Sequence, residues 1–306
     1  MRLRIASIQM ISENNDIMGN RVRAMRLIGQ AIKKKARLIL LPEFALNGYT
    51  YTDDIWKTAE PLDGPTARLM KDISKKHRVY IGTCILEKAV NEFYDTFILV
   101  GPGKDEFWSH RKIEPATYEA FFFRGGGVIP GVFDTPLGRI GVAICFDTSK
   151  THTLKSLADG RPDLVLIPFS CPGLPTILPA GSRKNWDKLF IRIPFAYAEY
   201  LGVPVITSNK TGGFISTLPL TRFIRARMPF IDVSQIVDRD GTLLARAESG
   251  EQVLVSDIEI RPDSFRGLHR AIPAGRWLMP YTFVTKLTTE LSYILGRVRY
   301  TLRKKF

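Results

Sequence analysis

Cysteine and histidine are scarce in this 306-residue chain: three of the first and four of the second. Cys84, Cys145 and Cys171 are too few and too scattered for a disulfide framework or a zinc site. His77, His110, His152 and His269 show no ligand spacing either. Thiols this sparse fit a reducing compartment, so a cytoplasmic location is expected. Long apolar runs are also missing, and none approaches the ~20 residues of a membrane-spanning helix. The nearest, Leu164 to Gly181, is uncharged but carries Pro168, Pro172, Pro175 and Pro179, which would break any helix there. The apolar stretch Ile5 to Ile11 is short, is interrupted by Ser7 and Gln9, and has no cleavage pattern after it. It reads as a first β-strand and not as a signal peptide. Glycine-rich phosphate loops, zinc-finger spacings and helix-turn-helix patterns are lacking, which argues against nucleic acid as the partner of a basic protein.

What is present supports a sizeable buried core, since 45% of the residues are hydrophobic. The charge is lopsided, with 44 Lys and Arg against 30 Asp and Glu, a formal +14. Residues 261–306 hold ten of those cations and only two acids, Asp263 and Glu290, so most of the excess belongs to this tail. Strand-like runs at Ile5–Ile8, Arg37–Leu41, Val79–Thr83, Thr96–Val100, Ile140–Cys145, Asp163–Pro168, Val203–Ser208 and Val253–Ile258 alternate with helical patterns. One helix is predicted to start at an Asn20 cap and to bury Val22, Met25, Ile28 and Ile32. Others are predicted from Pro65 to Lys76 and from Trp186 to Leu201. Interleaved strands and helices indicate an α/β layered protein.

Three of the strands run directly into a reactive side chain. An acid follows in Leu40-Leu41-Pro42-Glu43-Phe44, a lysine in His110-Arg111-Lys112-Ile113, and a thiol in Gly141-Val142-Ala143-Ile144-Cys145-Phe146-Asp147. In open α/β sheets, ligands collect at the carboxyl ends of strands, where such side chains converge. Singly, each has a bland reading: a solvated cap, a surface cation, a core thiol.

Together, in that order, they resemble the nitrilase or carbon–nitrogen hydrolase superfamily, whose signature is a Glu–Lys–Cys triad. Ala6-Ser7-Ile8-Gln9, Asn47-Gly48-Tyr49, Asp163 to Phe169, Asn209 to Gly212 and Asp240-Gly241-Thr242 fit the same pattern, and the resemblance covers residues 1–260. It implies an α-β-β-α sandwich, assembly as a homo-oligomer, and hydrolysis of a carbon–nitrogen bond with no metal or organic cofactor. Carried onto this chain, the family's roles make Cys145 the nucleophile and Glu43 the general base and acid. Lys112 and the Phe146 N–H would stabilise the oxyanion, with Lys112 also favouring the thiolate. Glu119 is the better match to the second acid that holds the lysine, and Glu114 competes by being closer in sequence. Tyr49 lines the pocket or simply packs as an aromatic. Cys171 is a small pocket wall or a buried thiol.

The sequence departs from many amidase-type relatives after the nucleophile. Thr148-Ser149-Lys150-Thr151-His152 follows Cys145-Phe146-Asp147, with neither the proline nor the glutamate of the usual aromatic-Pro-Glu turn. Nitrile-cleaving members place Trp-Glu directly after the cysteine, so Phe146-Asp147 is more similar to the amide-cleaving branches. Nitrile hydrolysis or acyl transfer to an amine by the same triad is the alternative, and a catalytically silent membrane scaffold is another.

The remaining segment, 261–306, reads as a basic C-terminal extension. Val284, Leu287, Leu291, Ile294, Val298 and Leu302 form one helical stripe, with Lys286, Arg297, Arg303 and Lys304 largely off it. The stripe either packs on the body or a neighbouring subunit, or lies on an anionic membrane surface through residues 277–306. A second basic-apolar stretch, Leu218 to Phe230 with Arg222, Arg225 and Arg227, fits the same surface or a loop over the site.

Overall fold

The near-continuous apolar runs at Leu38–Leu40 and Leu164–Pro168 are buried at every position, the mark of parallel strands covered on both faces. In the computed structural model, which describes residues 1–126, 131–176, 178–217, 225–262, 265 and 267–303, they lie near the centres of two six-stranded sheets. The first half of the chain supplies β1 (Arg2–Gln9), α1 (Ile17–Lys33), β2 (Leu38–Leu40), α2 (Pro65–His77), β3 (Tyr80–Ala89), β4 (Glu92–Val100) and β5 (Phe107–Arg111). Next come β6 (Val132–Thr135), β7 (Gly138–Val142), α3 (Thr151–Gly160), β8 (Leu164–Pro168), α4 (Ala180–Ile191), α5 (Ile193–Leu201) and β9 (Val205–Ser208). The chain continues through β10 (Gly213–Thr217), β11 (Arg225–Pro229), β12 (Gln235–Val237), β13 (Leu243–Arg246), β14 (Gln252–Glu259) and α6 (Phe283–Arg303).

One sheet runs β14-β1-β2-β3-β4-β5 and the other β13-β12-β9-β8-β7-β6, while β10 and β11 pair as a separate hairpin. The β1–β2, β2–β3, β7–β8 and β8–β9 pairs are parallel, with registers such as Ala6 with Ile39 and Gly141 with Val165. A single core joins Leu38, Leu40 and Phe97 of one sheet to Val142, Leu166 and Ile206 of the other. Hydroxyls stitch the same interface: Ser7 Oγ donates to the Thr207 carbonyl at 2.6 Å. α1 supplies Leu27 and Ile28, and α2 Leu69 and Met70, to an outer layer on the first sheet, and Leu154 and Tyr197 of α3 and α5 belong to the core with the second. This is the expected α-β-β-α sandwich.

Local details differ from the sequence-based expectation. α1 begins a turn earlier than Asn20, because Asp16 caps it by accepting from the Gly19 N–H at 2.9 Å. Asn20 lies inside the helix, buried, and donates to the Glu13 and Leu46 carbonyls. That offset rotates the buried face onto Ala24, Leu27, Ile28 and Ala31, leaving Val22 and Met25 exposed. The helix expected over Trp186–Leu201 is two helices divided at Arg192, with Pro194 in the first turn of the second. Of the second basic stretch, Arg225 and Arg227 lie on β11, and Arg222 falls outside the described residues.

The largest difference concerns α6. Its apolar stripe does not pack on the body: Val284, Leu287, Leu291, Ile294, Val298 and Leu302 are all exposed. The helix turns its other face inward through Thr289, Ser292, Gly296 and Tyr300. Gly296 fits closely against the turn Glu119–Phe121, where a larger side chain would not, and the Tyr300 hydroxyl bonds Glu92 and the Phe93 N–H of β4.

Candidate active site

Each reactive side chain stands where a strand has just ended. Pro42 closes β2, and the Glu43 N–H then crosses to the other sheet and bonds the Phe169 carbonyl at 3.1 Å. β5 ends at Arg111, and Lys112 follows with its N–H on the Asp95 carbonyl at 2.8 Å. β7 ends at Val142, and Cys145 opens a tight turn at φ +44°, a left-handed conformation that non-glycine residues adopt rarely. Thr148 Oγ1 braces that turn on the Cys145 carbonyl at 2.6 Å. Asp147 ties the Cys145 turn to the lysine loop, its carboxylate accepting from the Ile113 and Glu114 N–H groups at 2.9 and 3.0 Å.

Lys112 is the hub. Its fully buried ammonium donates to Glu43 Oε1 at 2.7 Å and to Glu119 Oε2 at 2.7 Å, and lies 3.3 Å from Asp95 Oδ2. Glu119 also accepts from the Tyr49 hydroxyl at 2.6 Å and the Ala116 N–H at 2.6 Å. Glu43 Oε2 accepts from the Ser170 N–H at 2.6 Å. Glu114, the competing second acid, points elsewhere and pairs with Arg276 at 2.6 Å and Lys150 at 3.3 Å.

These groups shift one another. Burial works against the Lys112 charge, yet Glu119 and Glu43 outweigh it and hold the ammonium well above its usual range. Burial also opposes ionisation of Glu43, but Lys112 and a hydrogen bond with Asp95 keep its carboxylate below the ordinary value. Asp95 takes the opposite course, pushed well up by burial and by the Glu43 charge. Glu119 is raised by burial, Lys112 only partly compensating. Burial and the Glu43 charge push the Cys145 thiol well up and overcome the pull of Lys112. These influences favour the neutral thiol at Cys145 over the thiolate that a neighbouring lysine suggests.

A cavity of about 80 Å³ opens on Cys145. Tyr49, Phe146 and Cys171, the three expected pocket residues, line it, as do Tyr51, Trp186 and Phe190. Tyr49 lines the cavity and also packs edge-on against Phe214, and its hydroxyl, beyond either expectation, donates to Glu119. Three further features were not anticipated. Asp95 lies in β4 with Glu92 and Thr96, and no local pattern marks it out. Lys210 is wholly buried without a hydrogen-bond partner, and burial lowers its pKa to about 7. Nothing local in the sequence singles it out. The third is the far wall of the cavity, which comes from Trp277, Tyr281, Thr285 and Thr289 of the C-terminal extension. Among the described residues, no group of three or more His, Cys, Asp and Glu could hold a metal ion.

An α-β-β-α sandwich with an acid, a lysine and a thiol at its strand ends defines a class of hydrolytic enzyme, and comparison with known proteins agrees. Residues 4–262 match the carbon–nitrogen hydrolase family, and the chain belongs to it. It is a carbon–nitrogen hydrolase. A nitrilase of Pyrococcus abyssi is 29% identical over 188 residues, 60% of this chain and 71% of its own length. The N-carbamoylputrescine amidase of Arabidopsis thaliana is 26% identical over 257 residues, 81% of this chain and 83% of its own. Among solved structures, a carbon–nitrogen hydrolase from Helicobacter pylori superposes with a TM-score of 0.70 at 19% identity, covering 98% of this chain and 95% of its own.

Proposed function

We propose that the protein is a thiol amidase that cleaves a non-peptide amide through a thioester on Cys145. Glu43 takes the thiol proton as the sulfur attacks the amide carbon, and the carbonyl electrons move onto oxygen. Lys112 and the Phe146 N–H stabilise that oxyanion. When the carbon–nitrogen bond breaks, Glu43 returns the proton to the departing ammonia or amine, leaving the thioester. Glu43 next takes a proton from water, whose oxygen attacks the thioester and releases the acid. The proton then returns to the sulfur. Glu119 acts as a positioning residue, fixing Lys112 opposite Glu43.

The observation that carries this reading is the bifurcated ammonium of Lys112, 2.7 Å from both Glu43 and Glu119 in a fully buried site beside Cys145. A charge so completely desolvated costs several kcal/mol unless its partners are in place. A wall of apolar residues would stabilise the fold better, so the arrangement makes sense as chemistry. Ammonia release from a panel of simple amides tests it. Cys145→Ala should abolish turnover with the circular dichroism spectrum unchanged, and residual turnover would remove Cys145 from its role. Nitrile hydrolysis and acyl transfer to an amine would use the same groups and are separated by offering nitriles or hydroxylamine.

A second reading concerns the exposed stripe of α6, and here we infer contact with an anionic membrane surface. No helix among the described residues is long and apolar enough to cross a membrane. α6 nevertheless exposes Leu291 at 50%, Ile294 at 58% and Val298 at 57%, next to the exposed cation Arg297. Apolar burial plus attraction to anionic headgroups is how such a helix binds lengthwise. Flotation with anionic but not neutral liposomes would support it. Self-association through the same stripe, read by light scattering, would assign the face to a homo-oligomer instead.

A further inference from the structure

We propose that residues 276–289, which follow residues 4–262 matched to the family, form a specificity wall that restricts the active site to small, uncharged acyl groups. The inference rests on the amidase reading of the same site and adds the class of substrate.

The wall is fastened to the nucleophile turn itself. The Leu278 N–H donates to the Ser149 carbonyl at 2.8 Å, and the Thr151 N–H to the Arg276 carbonyl at 3.1 Å. Ser149 Oγ and the Tyr281 hydroxyl share a hydrogen bond of 2.9 Å. The Lys150 ammonium sits 3.5 Å from the centre of the Trp277 ring, with Glu114 at 3.3 Å and Glu290 of α6 at 3.6 Å. Arg276 completes the knot by bonding both glutamates, at 2.6 and 2.7 Å. Ser149, Lys150 and Thr151 stand where the chain departs from the aromatic-Pro-Glu turn of amidase-type relatives. The departure therefore has a purpose: these residues are the dock for the C-terminal segment.

Docking brings Trp277, Tyr281, Thr285 and Thr289 onto the cavity that opens on Cys145. At about 80 Å³ the space is well below the ~150 Å³ that admits a benzene ring. The four side chains contribute aromatic faces and neutral hydroxyls. The described residues that line the cavity include no ionised side chain to pair with a charged substituent. A carboxylate or ammonium on the acyl chain would thus be buried unpaired, at a cost no hydroxyl offsets.

The test uses the full-length protein and three reagents whose bromide the Cys145 sulfur displaces: bromoacetamide, 2-bromohexanamide and 4-amino-3-bromo-4-oxobutanoate, which keeps the carboxamide and adds a carboxylate on the acyl chain. Labelling of Cys145 is followed by mass spectrometry, and each rate is divided by that reagent's rate with a free thiol. The wall predicts that bromoacetamide leads both others by about tenfold or more, the discrimination a tight pocket achieves over a few methylenes. Thr289→Ala and Trp277→Ala should each raise the ratio of the 2-bromohexanamide rate to the bromoacetamide rate by about tenfold. Thr289→Ala keeps the comparison valid should the loss of the Trp277 ring unfold the extension. Equal normalised rates in the unaltered protein, or variants that change all three reagents alike, would overturn the proposal. Ammonia release from acetamide and hexanamide is read alongside. Hydrolysis without discrimination counts against the wall alone, whereas selective labelling without ammonia supports the wall and counts against the amidase reading.

Discussion

Gly296 of α6 lies directly on Ala120, so closely that a Cβ there would come within 2.8 Å of the Ala120 carbonyl carbon and of Phe121 Cδ2. Ala120 follows Glu119, so the C-terminal helix is seated on the turn that presents Glu119 to Lys112. Gly296→Val should therefore act at a distance. Overpacking against backbone costs about 1–3 kcal/mol, and the turn or the helix must give way. Turnover should fall along with the melting temperature, and Cys145 labelling should slow. A variant that loses stability but keeps full turnover would mean that the Glu119 turn holds its position without α6.

Among the described residues, Lys112 is the one cation bonded to Glu43 and Glu119, with Asp95 close behind. Lys112→Met keeps the length of the side chain and removes the charge. Hydrolysis should drop by about 10²–10³-fold, the usual cost of losing an oxyanion donor. Stability should fall by about 3–5 kcal/mol, as when one member of a buried ion pair is removed. The sign of the pH dependence follows. Without their cation, the buried carboxyls have folded pKa values above the unfolded ones, so their contribution is full at low pH and is lost as pH rises. Urea denaturation at pH 5 and pH 8 should show the larger deficit at pH 8.

Lys210 offers the opposite case. Burial brings its pKa down to about 7 from an ordinary 10.5, with Glu43 and Asp95 opposing the shift. A lysine lowered in the folded state contributes stability above its unfolded pKa, and that contribution is lost as pH falls toward the folded value. The native protein should therefore gain stability between pH 7 and pH 10. Lys210→Met should flatten that rise and raise stability at pH 7 by on the order of 1–3 kcal/mol, part of the pKa-linked gain being offset by the lost attraction to Glu43. Paired urea melts at pH 7 and pH 9 check both statements.

How much of this could be read beforehand depends on where each signal sits. Glu43, Lys112 and Cys145 were legible because each is punctuated locally, by a proline, a polar turn or an abrupt strand end. Tyr49, Phe146, Cys171 and Glu119 came from the resemblance, and all of them lie around the cavity or on Lys112. Asp95 was not legible, since only the pairing of β4 with β5 brings it beside Lys112. Trp277 entered only as the first residue of the 277–306 segment, because nothing in a linear pattern reports that it docks on Lys150, more than a hundred residues away. Periodicity located α6 and its apolar stripe but left open whether that stripe packs on the body or faces outward. A hydrophobic stripe shows that a helix has two sides, and tight packing on Ala120, which selects glycine and small polar residues, decides which side turns in.

The outer face of α6 is open to direct test. Leu291 and Ile294 are 50% and 58% exposed, so Leu291→Glu with Ile294→Glu should leave unfolding within about 0.5 kcal/mol of the unaltered protein. Withdrawing two large aliphatic side chains from a lipid interface forfeits about 1.5–3 kcal/mol each. Binding to anionic vesicles should therefore weaken by well over tenfold while ammonia release in free solution is unchanged, because the inward face that reaches the cavity is untouched. Undiminished flotation of the double variant would show that this stripe is not the membrane contact. A switch from dimer to monomer in light scattering would show that a second copy of the chain covers it.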